Sequence, residues 1–367
     1  MEQSPFLSQE HEDRLGNTEP TCPQEKTDLT GMTREALEVF MTGLGKERYR
    51  AAQLMKWIYT GLALSFDDMT DISKAFRDDL ARIARISTPE LIDLRRSSDG
   101  TLKFLFGMDK GDRVETVMIP EDDHDTLCVS TQVGCAMGCR ICRTSMLGLK
   151  RNLSSGEIVS QLLAVRRLVP DSRITNVVLM GMGEPLANFE NTVNAIRTLT
   201  HPNGPGISWR RLTVSTCGLA PQIMLLGEVA RVKLAVSLNA VTDEQRDLLM
   251  PVNRRYPIAE LMAALKAYPL PRRDRITVEY VLVSGVNDSD ADAKQLVRLL
   301  NPIRAKVNLI PLNDESLPTF QAPSPERVGR FQEVLMSRSL MAIVRKSRGT
   351  DILAACGQLA AETDRPE

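Results

Sequence analysis

Between residues 32 and 86 apolar side chains recur at spacings of three and four. Thr33 opens the first stretch as a cap, and Ala36, Leu37, Phe40 and Met41 share one face. Residues 49–62 and 75–86 repeat that rhythm, which predicts a small N-terminal helical accessory domain over 27–89. From 90 to 120 the period shortens to two. Runs broken at Asp99-Gly100 and Lys110-Gly111 predict a short β-hairpin connection, on whose alternating pattern Glu115 belongs to the wet face. Beyond that, strand-like runs at 126–131, 174–180, 211–216, 232–238, 275–283 and 306–312 alternate with helix-like stretches such as 155–168, 191–199, 257–267 and 291–300. Alternation of this kind predicts a parallel sheet of βα units, and six units predict a partial (βα)6 TIM-like barrel over 121–360. Residues 1–26 lack periodicity and are expected as a disordered lead-in, and 361–367 as a tail.

Parallel α/β folds gather ligand-binding groups at the carboxyl ends of their strands. The first strand here runs into Cys135, Cys139 and Cys142; the second ends at Gly181-Met182-Gly183-Glu184, the third at Ser215-Thr216, the fourth at Ser237-Leu238-Asn239 and the sixth at Asn313. Three thiols at C-x3-C-x2-C fit one inorganic centre but make an incomplete set, because structural zinc and electron-transfer four-iron clusters normally take four protein ligands. One iron left open can bind a small molecule. Zinc, with Cys128 or His124 as the fourth ligand, remains open at this point. Glycines expose backbone to a ligand's ammonium and carboxylate, Glu184 suits the ammonium, and Ser215, Ser237 and Asn239 suit hydroxyls and a carboxylate.

Composition narrows the class. The 367 residues are 43% hydrophobic and 25% charged, as expected of a soluble globular chain with one large domain and a smaller one. No apolar run approaches the ~18 residues of a membrane span, and the first residues lack a signal-peptide pattern. Seven cysteines gathered around one motif point to the reducing cytoplasm rather than to a disulfide framework. A net charge of −1 excludes bulk attraction to nucleic acid and leaves only local patches: Lys150-Arg151, Arg210-Arg211, Arg254-Arg255, residues 271–275 and residues 345–348.

The cysteine spacing resembles that of radical S-adenosylmethionine (SAM) enzymes, and the segments CVSTQVGC, GLKRNL, VVLMGMGEPLAN, LTVSTCG, LAVSLNA, NLIPLN and RKSRGTDILAACGQL together resemble the RlmN family over residues 30 to 360. The resemblance implies a [4Fe-4S] cluster on Cys135, Cys139 and Cys142 and two SAM molecules per turnover, with contacts at Gly183, Glu184, Ser215, Ser237, Leu238, Asn239 and Asn313. It implies methylation of C2 of adenine in 23S rRNA and tRNA, an electron-poor carbon that a carbon radical can attack. Cys356 takes a methyl from one SAM; a second yields the adenosyl radical that removes a hydrogen from that methyl. The carbon then adds to the base. Glu115 takes the C2 proton, and Cys128 releases the product through a transient disulfide with Cys356. Reactive thiols work as thiolates, so Arg345, Lys346 and Arg348 are expected to favour that form.

Further implications are an external electron donor such as flavodoxin or ferredoxin, a monomer, and no membrane. The chain departs from the family at Ile141, often aromatic, at Asn239, usually histidine, and after Asn313, where Asp314 and Glu315 replace an apolar turn. Two other readings are a Cfr-like C8 methyltransferase and a non-catalytic, zinc-stabilised RNA-binding protein.

Overall fold

The computed structural model describes residues 26–313 and 319–361. The expected lead-in with Cys22, the Asp314-Glu315 loop and nearly all of the tail lie outside the described residues.

The N-terminal helical segment is tied at both ends. β1 (Thr27–Asp28) pairs in parallel with β2 (Ala84–Arg85), enclosing α1 (Arg34–Gly43), α2 (Tyr49–Met55) and α3 (Lys74–Ile83). The Thr33 side chain caps α1 by accepting from Ala36 N–H, as its position implies. A π-helical turn, Lys56–Thr60, extends α2. Leu37, Met41, Leu54, Ile58 and Leu80 fill the interior. The segment docks on the barrel through Arg167, which donates to the carbonyls of Leu62 and Ala63 (both 3.0 Å).

Next come β3 (Glu90–Arg96), β4 (Leu102–Gly107) and β5 (Arg113–Pro120), an antiparallel meander. It is more than a connection, because β5 pairs with β6 (Asp125–Cys128), the first barrel strand. All barrel strands and the meander form one ten-stranded sheet. After a two-stranded excursion, β7 (Gln132–Gly134) with β8 (Leu149–Asn152), the sheet continues through β9 (Ile174–Leu179), β10 (Leu212–Thr216), β11 (Lys233–Ser237), β12 (Ile276–Leu282) and β13 (Ala305–Pro311). These are the six expected parallel strands, and β14 (Ala342–Val344) adds a seventh beside β13.

β14 and β3 are free edges, so the barrel is partial. Between β7 and β8 lies α4 (Arg143–Met146). Helices α5 (Ser155–Leu168), α6 (Phe189–Thr200), α7 (Ala220–Val229), α8 (Asp243–Leu249), α9 (Ile258–Ala267), α10 (Asp290–Leu300) and α11 (Pro325–Met336) follow in order. α5 packs with α6, α7 with α9 and α10 with α11. Val177, Val214, Leu234, Val278 and Val307, one from each of five neighbouring strands, are buried in a continuous core. Among the described residues no helix is long and apolar enough to cross a membrane.

Candidate active site

The cysteine loop hangs from the β7–β8 pair. Its hinge is Gly134, at φ +76°, where a Cβ would overlap the carbonyl oxygen of Gly148. The same oxygen accepts from Cys135 N–H (2.9 Å), and Arg140 N–H donates to Leu249 O (2.9 Å), so the loop is fastened at its start and its middle. Cys135, Cys139 and Cys142 thereby line one wall of a cleft of about 1100 Å³. Burial pushes the Cys135 thiol up to about 11 and Cys139 higher still, and the neighbouring thiols push in the same direction.

No three His, Cys, Asp or Glu side chains among the described residues stand close enough to hold a single metal ion. The fourth ligands a zinc site would need do not line this cleft: Cys128 lines an adjoining one, which of the three cysteines only Cys142 reaches, and His124 Nδ1 meets Asp123 (2.5 Å). Three thiols sharing a wall, without a fourth and too spread for one ion, suit a polynuclear iron–sulfur cluster with an iron left free of protein.

Facing the cysteines are the carboxyl ends of the strands. Gly181, Gly183, Glu184, Ser215, Ser237 and Asn313 all line the cleft. The glycines are needed for a reason other than ligand approach. A Cβ on Gly181 would stand 2.7 Å from Ser130 Oγ, and one on Gly183 2.5 Å from Gln132 Cβ, so neighbouring chain fills the space. Glu184 is buried, which pushes its carboxyl pKa up, while N–H groups of Cys217 (2.7 Å) and Leu186 (3.0 Å) pull it back and fix the carboxylate.

Asn239 also lines the cleft, in the left-handed region at φ +56°, which asparagine tolerates better than most residues. Its side chain is spent on the scaffold: Oδ1 accepts from Val281 N–H (2.8 Å) and Nδ2 donates to Met250 Sδ (3.1 Å). Leu238, expected at the ligand, is buried outside the cleft lining; its carbonyl accepts from Arg246 Nε (3.2 Å).

Arg246 and Glu279 were not singled out from the sequence. Arg246 is fully buried, and its guanidinium donates to Cys217 O (2.6 Å), Asn253 Oδ1 (3.1 Å) and Leu238 O, binding the ends of β10 and β11 together. Glu279 lines the cleft from β12. Its Oε1 accepts from Asn308 (3.1 Å), its Oε2 is buried without a hydrogen-bond partner, and burial pushes its pKa up. An unpaired buried carboxylate oxygen at a cleft wall is a place for a ligand donor.

Two more thiols meet beside this cleft. Cys356 lines it and also an adjoining cleft of about 750 Å³, in which Cys128, Arg345, Lys346 and Arg348 take part. Cys356 is exposed as a residue, yet the protein packed around its thiol pushes the pKa up; Arg345 draws it down and Glu279 pushes it up again. Burial, with the nearby Cys356 charge, raises Cys128 to about 12, and Arg345 opposes that too. Both thiols are free.

Glu115 lines neither cleft. It is buried on β5 rather than on a wet face; Oε1 pairs with Lys103 Nζ (3.0 Å) and Oε2 accepts from Ala360 N–H (2.8 Å). Of the basic patches, Lys150-Arg151 is partly neutralised: both side chains pair with Asp112, and Arg151 also with Glu157 (2.8 Å), although Lys150 stays exposed.

Comparison with known proteins agrees with this geometry. Residues 27–86 match the model of the ribosomal RNA large subunit methyltransferase N-terminal domain, and residues 129–297 that of the radical SAM superfamily. A dual-specificity RNA methyltransferase RlmN of Geotalea uraniireducens is 51% identical over 93% of this chain and 98% of its own. The RlmN of Syntrophotalea carbinolica is 53% identical over 91% of this chain and 90% of its own. The crystal structure of a radical SAM methyltransferase from Sphaerobacter thermophilus superposes with a TM-score of 0.86 at 47% identity, covering 92% of this chain and all of that one. A three-thiol loop at the mouth of a partial barrel, with this likeness over nearly the whole length, makes the chain a member of the RlmN family of radical SAM methyltransferases.

Proposed function

We propose that this protein methylates C2 of adenine in 23S rRNA and in tRNA, with Cys356 as the carrier of the transferred carbon and Cys128 as the thiol that releases the product. Cys135, Cys139 and Cys142 would hold the [4Fe-4S] cluster; Gly183, Glu184, Ser215, Ser237 and Asn313 would hold SAM. Bound there, the pair supplies a methyl donor and a hydrogen-abstracting radical. The observation that carries the reading is the placement of Cys356: it lines the cleft of the three cysteines and also the smaller one that contains Cys128 and Arg345.

The residues divide the work accordingly. Cys356 loses its thiol proton and accepts a methyl on sulfur, a step that Arg345 favours by stabilising the thiolate. Once that carbon is bonded to adenine C2, the base must lose one electron, which the bound cluster would take back, and the C2 proton. Glu115 is proposed to accept that proton, which requires the contact to Ala360 N–H to open. Cys128 then attacks the Cys356 sulfur as a thiolate. A disulfide forms, the sulfur–carbon bond breaks with its electron pair passing to the methylene carbon, that carbon takes up a proton to become the methyl group, and methylated RNA leaves; an external thiol reductant must regenerate the two thiols. A one-electron donor such as flavodoxin or ferredoxin, a monomeric chain and a cytoplasmic location complete the reading.

Nucleoside analysis of rRNA and tRNA from cells with and without the protein tests it. 2-Methyladenosine is expected with the intact enzyme, none with Cys356→Ala, and a covalent protein–RNA adduct with Cys128→Ala. Equal 2-methyladenosine from Cys356→Ala, or 8-methyladenosine from the intact enzyme, overturns the proposal.

A further inference from the structure

The segment that carries Cys356 contains little regular structure. It turns through the left-handed region three times, at Gly349 (φ +63°), Leu353 (φ +53°) and Gly357 (φ +81°), and a short 3-10 turn over Thr350–Ile352 is its main local element. Something outside it must set its shape.

Arg143 N–H donates to Gly357 O (2.8 Å), Thr144 Oγ1 to Leu359 O (2.7 Å) and Asn313 Nδ2 to Cys356 O (3.2 Å), and the meander supplies the contacts on either side of these. At the β3–β4 turn, Asp99 Oδ2 accepts from Gly349 N–H (3.0 Å), Ser97 Oγ donates to Asp351 Oδ1 (2.6 Å) and Ser98 N–H to Asp351 Oδ2 (3.0 Å). Further along, Lys103 on β4 donates from Nζ to Leu353 O (3.2 Å), and Glu115 on β5 accepts from Ala360 N–H (2.8 Å). Lys103 stands opposite Val117 and Glu115 opposite Leu105, so the two are diagonal neighbours on one face of the sheet. Their side chains are only 7% and 3% exposed and pair at 3.0 Å.

A buried ion pair is poor value as sheet stabiliser, since apolar residues of similar size often do as well or better. What an apolar pair cannot do is bond to two backbone groups at separate points of another segment. Lys103 fastens the chain before Cys356 and Glu115 fastens it after, with the reactive thiol between them.

We propose that Lys103, through its ion pair with Glu115, is a positioning residue for the Cys356 loop, and that the β3–β5 meander is the cradle that sets where the thiol stands. The proposal rests on the reading of Cys356 as the carbon carrier, but its structural content can be measured without cofactor or RNA. Hydrogen–deuterium exchange followed by mass spectrometry on the cofactor-free full-length chain tests it. The variant Lys103→Met/Glu115→Gln removes the pair without leaving a lone buried charge. Exchange across residues 353–360 is expected to quicken at least tenfold, with alkylation of Cys356 by iodoacetamide altered in parallel and exchange in β9 to β13 unchanged. Lys103→Arg is expected to retain the protection.

Unchanged exchange at 353–360, or loosening spread through the whole sheet, overturns the proposal. If the double variant does not fold, Asp351→Ala serves instead, because it cuts only the contacts at the β3–β4 turn. Faster exchange confined to 349–353 supports the cradle, and none refutes it. Loss of the carrier reading would appear as methylation by Cys356→Ala with loop exchange untouched, so either idea can fail alone.

Discussion

Replacing Arg246 with methionine tests how the ligand-facing strand ends are held. The side chains are similar in length, so the change mainly removes a charge and its donors. Three acceptors within 3.2 Å, Cys217 O, Asn253 Oδ1 and Leu238 O, lose their partner in a buried site. A buried acceptor left unpaired costs about 1–3 kcal/mol. Methionine no longer requires the guanidinium to be stripped of water, a saving of several kcal/mol, and some water will enter. A net loss of about 3–5 kcal/mol follows from setting the upper part of the first range against that saving. That is a large share of the ~5–15 kcal/mol that holds a typical domain. Urea unfolding of the cofactor-free chain, followed by ellipticity, should show a midpoint lower by roughly 1–1.5 M for a slope near the upper end of the usual range. A midpoint within about 0.3 M of wild type, with an unchanged slope, would mean that the carbonyls find other partners and that Arg246 does not organise this wall.

Two further outcomes follow. Gly134→Ala puts a side chain where the Gly148 carbonyl lies and breaks the Cys135 N–H bond to it; about 2–4 kcal/mol of local strain and lost bonding should lower reconstituted iron per chain below half, and full iron loading would contradict this account of the hinge. Because burial raises the Cys356 pKa, its thiolate fraction should keep growing with pH beyond the usual thiol range near 8.5. Iodoacetamide labelling of Cys356, read by mass spectrometry, should rise through pH 9 without levelling, and Arg345→Met should move the profile further upward; a plateau below pH 8.5 would refute the direction of the shift.

The six parallel strands and the cysteine loop were legible in the sequence because both are local signals: hydrophobic periodicity for the first, spacing for the second. Side-chain partners were not. Glu115 reads as a wet-face residue on an alternating strand, but β5 is buried over most of its length, and its partners Lys103 and Ala360 lie 12 and 245 positions away. Arg246, inside DEQRDLL, carries no sign of its full burial, since two of its three nearest acceptors are backbone carbonyls, which leave no sequence signature. Lys150 and Arg151 read as a phosphate patch; the carboxylates that pair with them, Asp112 and Glu157, come from the β4–β5 turn and from α5. The glycines of the second strand's end read as openings for a ligand, whereas the groups that crowd a Cβ there are Ser130 at Gly181 and Gln132 at Gly183, partners that spacing does not reveal.

If Cys356 carries the carbon to adenine as proposed, its position within a cleft shared with Cys135, Cys139 and Cys142 limits the form in which that adenine can be a substrate. A base stacked in a helix cannot bring its C2 edge to that sulfur without leaving its neighbours, and extrusion costs a few kcal/mol, least where pairing is already absent. RNA folding therefore competes with the enzyme. Adenines in loops or in rRNA not yet assembled are open to it, and the same nucleotide locked in a finished duplex is not.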